Sequence, residues 1–346
     1  MFQLKIDNSF EGLRDCLLAP QSIDEISEGV KLLQKGFTTD RDKSIENYLS
    51  DPELVSAYTA FYLPSNLKKV RFFIDQNLEL LNSLENIQFI DLGCGPGTIS
   101  FGWMESFSNK VNEWLFLDRS QLMLDQAKKI QESFFPNSRC LYECVRSEKE
   151  LALNEVGTRV LALGNSINEM GLDLTLRYIK KIDPDFIFIL SPGSPACFDS
   201  LIGLKEKLTS WNTFYPCPSD KPTCPMQKGD WCHQVIRVKN LPEISRIAQK
   251  VKIDRRTLPF IAHGLSKGSY QRGTQFRVVQ FLGKNKAAYR WRVCQQGETE
   301  QIIEVEILKK SIPKEFDIES LEVGSLLDIS LVKELSSTKF RAQINY

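Results

Sequence analysis

The chain has 346 residues, 42% of them hydrophobic and 25% charged, with Lys+Arg and Asp+Glu both totalling 44. That length allows two or three domains with substantial apolar cores, and the composition excludes a disordered or fibrous chain. The balanced charge excludes an evenly basic or acidic protein, so any surface for a charged partner has to be local.

From Ser22 to about Ser83 apolar residues recur every three or four positions, which predicts helices. Asp51-Pro52-Glu53 reads as an N-cap, a proline in the first turn and an acid beside it, and Ser65 is expected to cap a further helix starting in LPSNLKKVRFFI. Residues 1–83 therefore read as a helical lead-in. Between Ile87 and Phe198 the short β-type segments IQFIDLG, WLFLD, CLYECV, VLALGN and DFIFILSPG alternate with helical ones, expected near Ile99–Ser108 and Ser120–Phe134. Such alternation predicts an α/β domain over residues 84–200, built on a parallel sheet covered on both faces. An amphipathic segment to Ser210 and a Pro/Cys-rich stretch from Tyr215 to Cys232 follow, then a strand-like region to the end, giving a Cys-rich module over 201–260 and a β-rich region over 261–346. No apolar run approaches the roughly 20 residues that span a bilayer. The start, MFQLKIDNSFEGL, lacks the pattern of a secretion signal or an Arg-rich transit segment, so a bacterial cytoplasm without membrane contact is expected. A monomer is the separate expectation for its assembly.

The segment Asp91-Leu92-Gly93-Cys94-Gly95-Pro96-Gly97-Thr98 follows a strand pattern and precedes a helical one. Glycines there let the backbone turn tightly and approach a ligand, while the helix start offers unpaired N–H groups. Asp118 closes the next strand, 21 residues after Gly97, where a carboxylate can accept from both ribose hydroxyls. A dinucleotide fold would show G-x-G-x-x-G. D-x-G-C-G-P-G-T instead resembles the first motif of class I methyltransferases, which implies that Asp91, Gly93, Gly95 and Gly97 frame the methionine end of S-adenosylmethionine and that Asp118 holds its ribose. Asn165, Asn168 and Glu169 follow the fourth strand, where such enzymes place substrate-facing residues, although the asparagines could equally cap a helix.

Nine cysteines without a secretion signal read as thiols or metal ligands. Cys217, Cys224 and Cys232 lie amid prolines, separated by six and seven intervening residues, and Cys294 follows far downstream. Four thiolates can hold one cluster; zinc is the alternative, though its paired C-x2-C to C-x4-C spacing is missing. Cys16, Cys140, Cys144 and Cys197 read as small buried hydrophobes, and Cys94 as a loop-packing residue. From Arg255 to Gly297 there are nine Lys or Arg and no Asp or Glu, interleaved with Phe276, Phe281, Tyr289 and Trp291. RNA is the natural partner of such a segment, with Arg272, Arg277, Arg290 and Arg292 facing it and the aromatics largely in the core.

YPCP, TCP, DWCH, the distant Cys294 and SPGSPACF resemble the methyltransferase-like family of mitochondrial small-ribosomal-subunit assembly factors and its bacterial relatives, over roughly residues 40 to 300. In that family the corresponding cysteines bind a 4Fe-4S cluster, which implies the same for Cys217, Cys224, Cys232 and Cys294. The resemblance also implies work on small-subunit ribosomal RNA, either as a methyltransferase or as an assembly factor that binds without methylating. A small-molecule methyltransferase with a structural metal is a third reading, and the acid-free basic segment counts against it. Ser191 stands where a glutamate is expected before Pro-Gly.

Overall fold

A computed structural model describes residues 6–39, 49–153, 157–217, 224–226, 229–269, 276–295 and 301–345. Helices occupy Phe10–Asp15 (α1), Ile23–Thr39 (α2), Pro52–Asp75 (α3), Leu78–Ser83 (α4), Thr98–Phe107 (α5), Gln121–Phe134 (α6), Ile167–Met170 (α7), Leu172–Ile182 (α8), Pro195–Lys207 (α9) and Pro242–Val251 (α10). The first eight strands are Ile87–Leu92 (β1), Val111–Asp118 (β2), Cys140–Cys144 (β3), Thr158–Gly164 (β4), Phe186–Pro192 (β5), Asn212–Tyr215 (β6), Gln234–Arg237 (β7) and Thr257–Ser266 (β8). The last six are Phe276–Lys284 (β9), Ala288–Gln295 (β10), Gln301–Leu308 (β11), Leu326–Leu327 (β12), Ile329–Ser336 (β13) and Lys339–Ile344 (β14). The chain forms two compact units, residues 1–185 with 237–258 and residues 186–236 with 259–346. This differs from the four consecutive regions expected from sequence, because each unit is assembled from two separated stretches.

In the first unit the strands run in the order β3-β2-β1-β4, all parallel. Every residue of β1 is buried, the mark of an inner parallel strand, and Phe89 packs between Trp103 and Trp114 at centroid distances of 4.8 and 5.0 Å. Ser120 caps α6 by accepting from Met123 N. The expected second helix start at Ser65 is not there: α3 runs unbroken through Pro64, and Ser65 is buried inside it. A proline inside a helix forfeits one backbone bond, and burial of residues from Val55 to Ile74 outweighs that loss. Also unexpected is α10, which lies in the stretch assigned to the cysteine module. Its Ile244, Ile247 and Val251 share a core with Phe10, Ile26 and Phe61 of the N-terminal helices. Cys16 and Cys197 are buried as read from sequence, but Cys140 is half-buried and Cys144 exposed, because β3 is the edge of its sheet.

In the second unit β5 pairs antiparallel with β8, from Phe186↔Ser266 to Pro192↔Phe260, and β6 and β7 also pair with β8. A separate sheet has the order β12-β9-β10-β11-β14-β13, antiparallel except for the parallel β11–β14 pair. Alternation along β10 sends Trp291 and Val293 into a core with Ile303, Val305 and Ile307, and puts Arg290, Arg292 and Cys294 on the other face. No described helix is long and apolar enough to cross a membrane.

Candidate functional site

The glycine loop joins β1 to α5 and is pinned to the end of β2, where Leu117 O accepts from Gly93 N at 2.8 Å and Cys94 N at 3.0 Å. Gly93, Gly95 and Gly97 all take positive φ, 69°, 53° and 84°. At Gly97 a side chain is also sterically excluded, since a Cβ would lie 2.7 Å from the Phe101 ring. Gly95 has nothing within 4 Å of such a Cβ, so the loop presents open backbone there, as close approach of a ligand requires.

Asp91 lies inside β1, 1% exposed, and its Oδ2 accepts from Ser100 N at 3.1 Å and Ser100 Oγ at 2.8 Å. Its Oδ1 is buried with no partner. Burial pushes this carboxyl up to about 7, against the bonds from Ser100. Asp118 ends β2 at 7% exposure, where its Oδ2 accepts from Gly95 N at 2.8 Å and its Oδ1 from Ser120 N at 2.9 Å. Burial raises its pKa too. The carboxylate read as a ribose acceptor thus already holds the loop in place, and a ligand would share it through the lone pairs that remain. Burial, then the charges of Asp118 and Asp91, drives the Cys94 thiol well up, so it stays neutral.

Asn165 follows β4 with φ 59°, a left-handed geometry that asparagine tolerates. It caps no helix; its side chain shares a hydrogen bond with Tyr58 of α3. Burial, and next the charge of Glu169, raises the Tyr58 hydroxyl far above its ordinary value. Asn168 is half-buried and Glu169 exposed. Tyr58, Tyr62 and Lys69 of α3 complete this corner, and burial followed by the charge of Arg255 brings Lys69 down to about 7. None of these α3 residues carries a motif, and only the packing of that helix brings them to the end of β4.

In the second unit Cys217, Cys224, Cys232 and Cys294 line one cavity, together with Lys205, His263 and Arg277. No Asp or Glu among the described residues lines it. Lys205 Nζ donates to Cys217 Sγ at 3.6 Å. Burial pushes the Cys224 thiol up to about 12 and raises Cys232, so both stay protonated unless a cation joins them. Arg277 is opposite Cys294 in the β9–β10 register and 1% exposed. Its Nη2 donates to His233 O at 3.3 Å, while Nε and Nη1 are buried without partners. A guanidinium beside four thiols, with no carboxylate among the described lining residues, suits a thiolate-held, negatively charged group. With the side chains as they stand, no group of three or more His, Cys, Asp or Glu among the described residues is placed to hold a metal ion.

Arg277 is therefore a correction to the sequence reading: a guanidinium buried beside the thiols cannot face RNA. Arg272 lies outside the described residues. Arg292 pairs with Asp230 at 2.8 Å, tying β10 to the cysteine loop, and Arg290 is half-buried. Phe276 and Trp291 belong to the core, Phe281 is 49% exposed, and Lys284 and Lys309 stand 5.6 and 5.3 Å from the Tyr289 ring. Ser191 is 7% exposed in β5, opposite Ile261.

Among solved structures, magnesium protoporphyrin IX methyltransferase from Synechocystis with bound S-adenosylmethionine is similar at 8% identity and a TM-score of 0.37, covering 69% of this chain and 97% of that one. TrmK from M. capricolum in complex with S-adenosyl-homocysteine is similar at 14% identity and a TM-score of 0.32, over 60% of this chain and 69% of that one. An S-adenosylmethionine-dependent O-methyltransferase from Thermotoga maritima is similar at 10% identity and 0.35, over 60% and 67%. At these scores the likenesses carry no argument about function. A search of curated proteins finds no match. The family described as mitochondrial small ribosomal subunit Rsm22 matches residues 52–311, a span that includes the glycine loop and all four cavity cysteines, and the chain belongs to that family.

Proposed function

We propose that this chain is an S-adenosylmethionine-binding, methyltransferase-like protein of the small ribosomal subunit, whose four cavity cysteines hold a 4Fe-4S cluster. The observation that carries the reading is the family match, which spans residues 52–311 and so includes both the glycine loop and the four cavity cysteines. S-adenosylmethionine, when bound, supplies an electrophilic methyl group. Gly95 offers the open backbone, Asp91 Oδ1 an unpartnered acceptor for a cationic group, and Asp118 its remaining lone pairs for the ribose. Tyr58 and Asn165 would orient an acceptor at the end of β4; in-line placement supplies most of what methyl transfer needs. Cys217, Cys224, Cys232 and Cys294 would hold the cluster, with zinc as the alternative occupant, and Arg290 and Arg292, on the same β10 face as Cys294, would meet ribosomal RNA.

A second reading, an assembly factor that binds RNA without methylating it, is favoured by Ser191, a short hydroxyl buried where an acid is expected. The test is to map small-subunit RNA methylation with and without the gene while following subunit assembly. Loss of one methylated nucleotide supports catalysis; an unchanged map with stalled assembly selects the binding reading; no effect on either overturns both.

A further inference from the structure

Arg255 lies in the first unit, four residues after the end of α10, and its carbonyl accepts from Asn240 Nδ2 at 2.7 Å. Its guanidinium stacks on α3, with Cζ 5.2 Å from the Tyr62 ring centroid and 5.7 Å from that of Phe61. Stacking on an aromatic face fixes the plane of the group and leaves its edges to donate. Nε and Nη2 form the edge that grips a planar or tetrahedral oxyanion with two parallel bonds. Both are buried without a partner. Buried guanidinium donors left unpaired are costly.

Lys69 stands on the same face of α3, seven residues on from Tyr62, and is close enough to Arg255 for the two charges to repel. Tyr58, one turn before Tyr62 with ring centroids 5.1 Å apart, reaches Asn165 at the end of β4. The next residue, Ser166, is 5% exposed, and its Oγ is likewise unpartnered; a Cβ on Gly93 would come within 2.7 Å of Ser166 Cβ and 3.5 Å of its Oγ. The orphaned fork is thus linked, through Tyr58 and Asn165, to the loop read as the donor site. Glu169 is the acid felt by Tyr58, but it is exposed and not bonded to the fork.

We propose that the Nε–Nη2 edge of Arg255, with Lys69 beside it, is an oxyanion-binding subsite serving the glycine loop read as the donor site. Two ligands of the proposed function carry such a group: the methionine carboxylate of the methyl donor and a phosphodiester of the acceptor RNA. The assignment rests on that function, and its test separates the two sources. Full-length Arg255→Gln and Arg255→Lys proteins are titrated with S-adenosyl-homocysteine, with 5′-methylthioadenosine, which lacks the carboxylate, and with a small-subunit RNA fragment at fixed salt.

If the subsite takes the carboxylate, Arg255→Gln loses roughly tenfold or more in affinity for S-adenosyl-homocysteine and none for methylthioadenosine. If it takes a phosphodiester, both nucleosides bind unchanged and RNA weakens by a similar factor. In either case Arg255→Lys, which keeps the charge but not the fork, falls between the parent and the Gln variant; it carries the test alone if Arg255→Gln does not fold. Variants that match the parent for all three ligands overturn the subsite and leave the donor reading standing. A parent chain that binds none of the three overturns the donor reading and the subsite together.

Discussion

Replacing Asp91 by Asn should stabilise the unliganded protein at neutral pH while weakening its hold on the methyl donor. The buried carboxyl rises from an ordinary 3.8 to about 7. An acid raised in the folded state adds nothing to pH dependence below about pH 4, where it is protonated both folded and unfolded. Stability is then lost as pH climbs toward 7 and levels off above it, because the unfolded chain releases its proton first. At about 1.4 kcal/mol per pH unit, the cost of the charge reaches at most about 4 kcal/mol by pH 8, and about 2–3 kcal/mol of it accrues between pH 5 and pH 8. Asparagine keeps an acceptor for Ser100 and carries no charge. Urea unfolding of both proteins at pH 5 and pH 8 should therefore show the Asn variant gaining on its parent by about 2–3 kcal/mol over that interval. Parallel pH dependences would refute the reasoning, since they would mean that Asp91 is ionised at no cost. If the carboxylate serves the donor's ammonium group, the parent's affinity should rise between pH 5 and pH 7, and the Asn variant should lose that rise.

Four further outcomes can be measured. Gly97→Ala forces a side chain onto φ 84° and against Phe101, and should lower stability by about 1–3 kcal/mol in a thermal melt; an unchanged midpoint would mean the loop can be rebuilt without strain. Gly95→Ala, with open space before it, should spare stability better than Gly97→Ala and act mainly on donor affinity, as calorimetry would show. Anaerobically purified protein should be brown and hold about four irons per chain; Cys224→Ser should lose them while binding the donor as before, and zinc in place of iron would refute the cluster. Affinity for small-subunit RNA should fall steeply with salt, by about 0.7 in the log–log slope for each single-stranded phosphate engaged. Arg290→Gln with Arg292→Gln should flatten that slope, and an unchanged slope would move the RNA surface to another face.

What the sequence made legible was what repeats locally. The run IQFIDLGCGPGT carries a strand, a turn and a helix start within twelve residues, and Asp118 closes a second strand, so the loop is legible in the sequence alone. The four cysteines were grouped through their proline-rich surroundings and the family resemblance, and one cavity receives them all. Arg277 was misread because charge counting along a chain does not say which side of a strand faces inward. Its partner across the sheet is Cys294, and only the β9–β10 register, with its bulges, decides that. The helix α10 was legible in principle: Pro242 and Glu243 mark a start, and Ile244, Ile247 and Val251 have helical spacing. It was obscured by the cysteines before it and the basic strands after it. Tyr58, Tyr62 and Arg255 could not be grouped at all, since two lie on a helix far upstream of the third and no spacing links them.

The excursion of residues 237–258 has a practical side. A fragment ending near residue 200, the natural cut if the chain were a methyltransferase fold with modules appended, would carry the glycine loop and the parallel strands but not α10. Phe10, Ile26, Val30 and Phe61 would lose the apolar face of Ile244, Ile247 and Val251 and meet water instead. Such a fragment should be sticky and short-lived, a failure easily mistaken for a missing ribosomal partner. Covalent continuity would then be the hidden cofactor of the donor-binding unit: a stretch translated after the cavity loop completes a core begun by the first helix, so that nascent chains stay unfinished at their N-terminal end until most of the protein has left the ribosome.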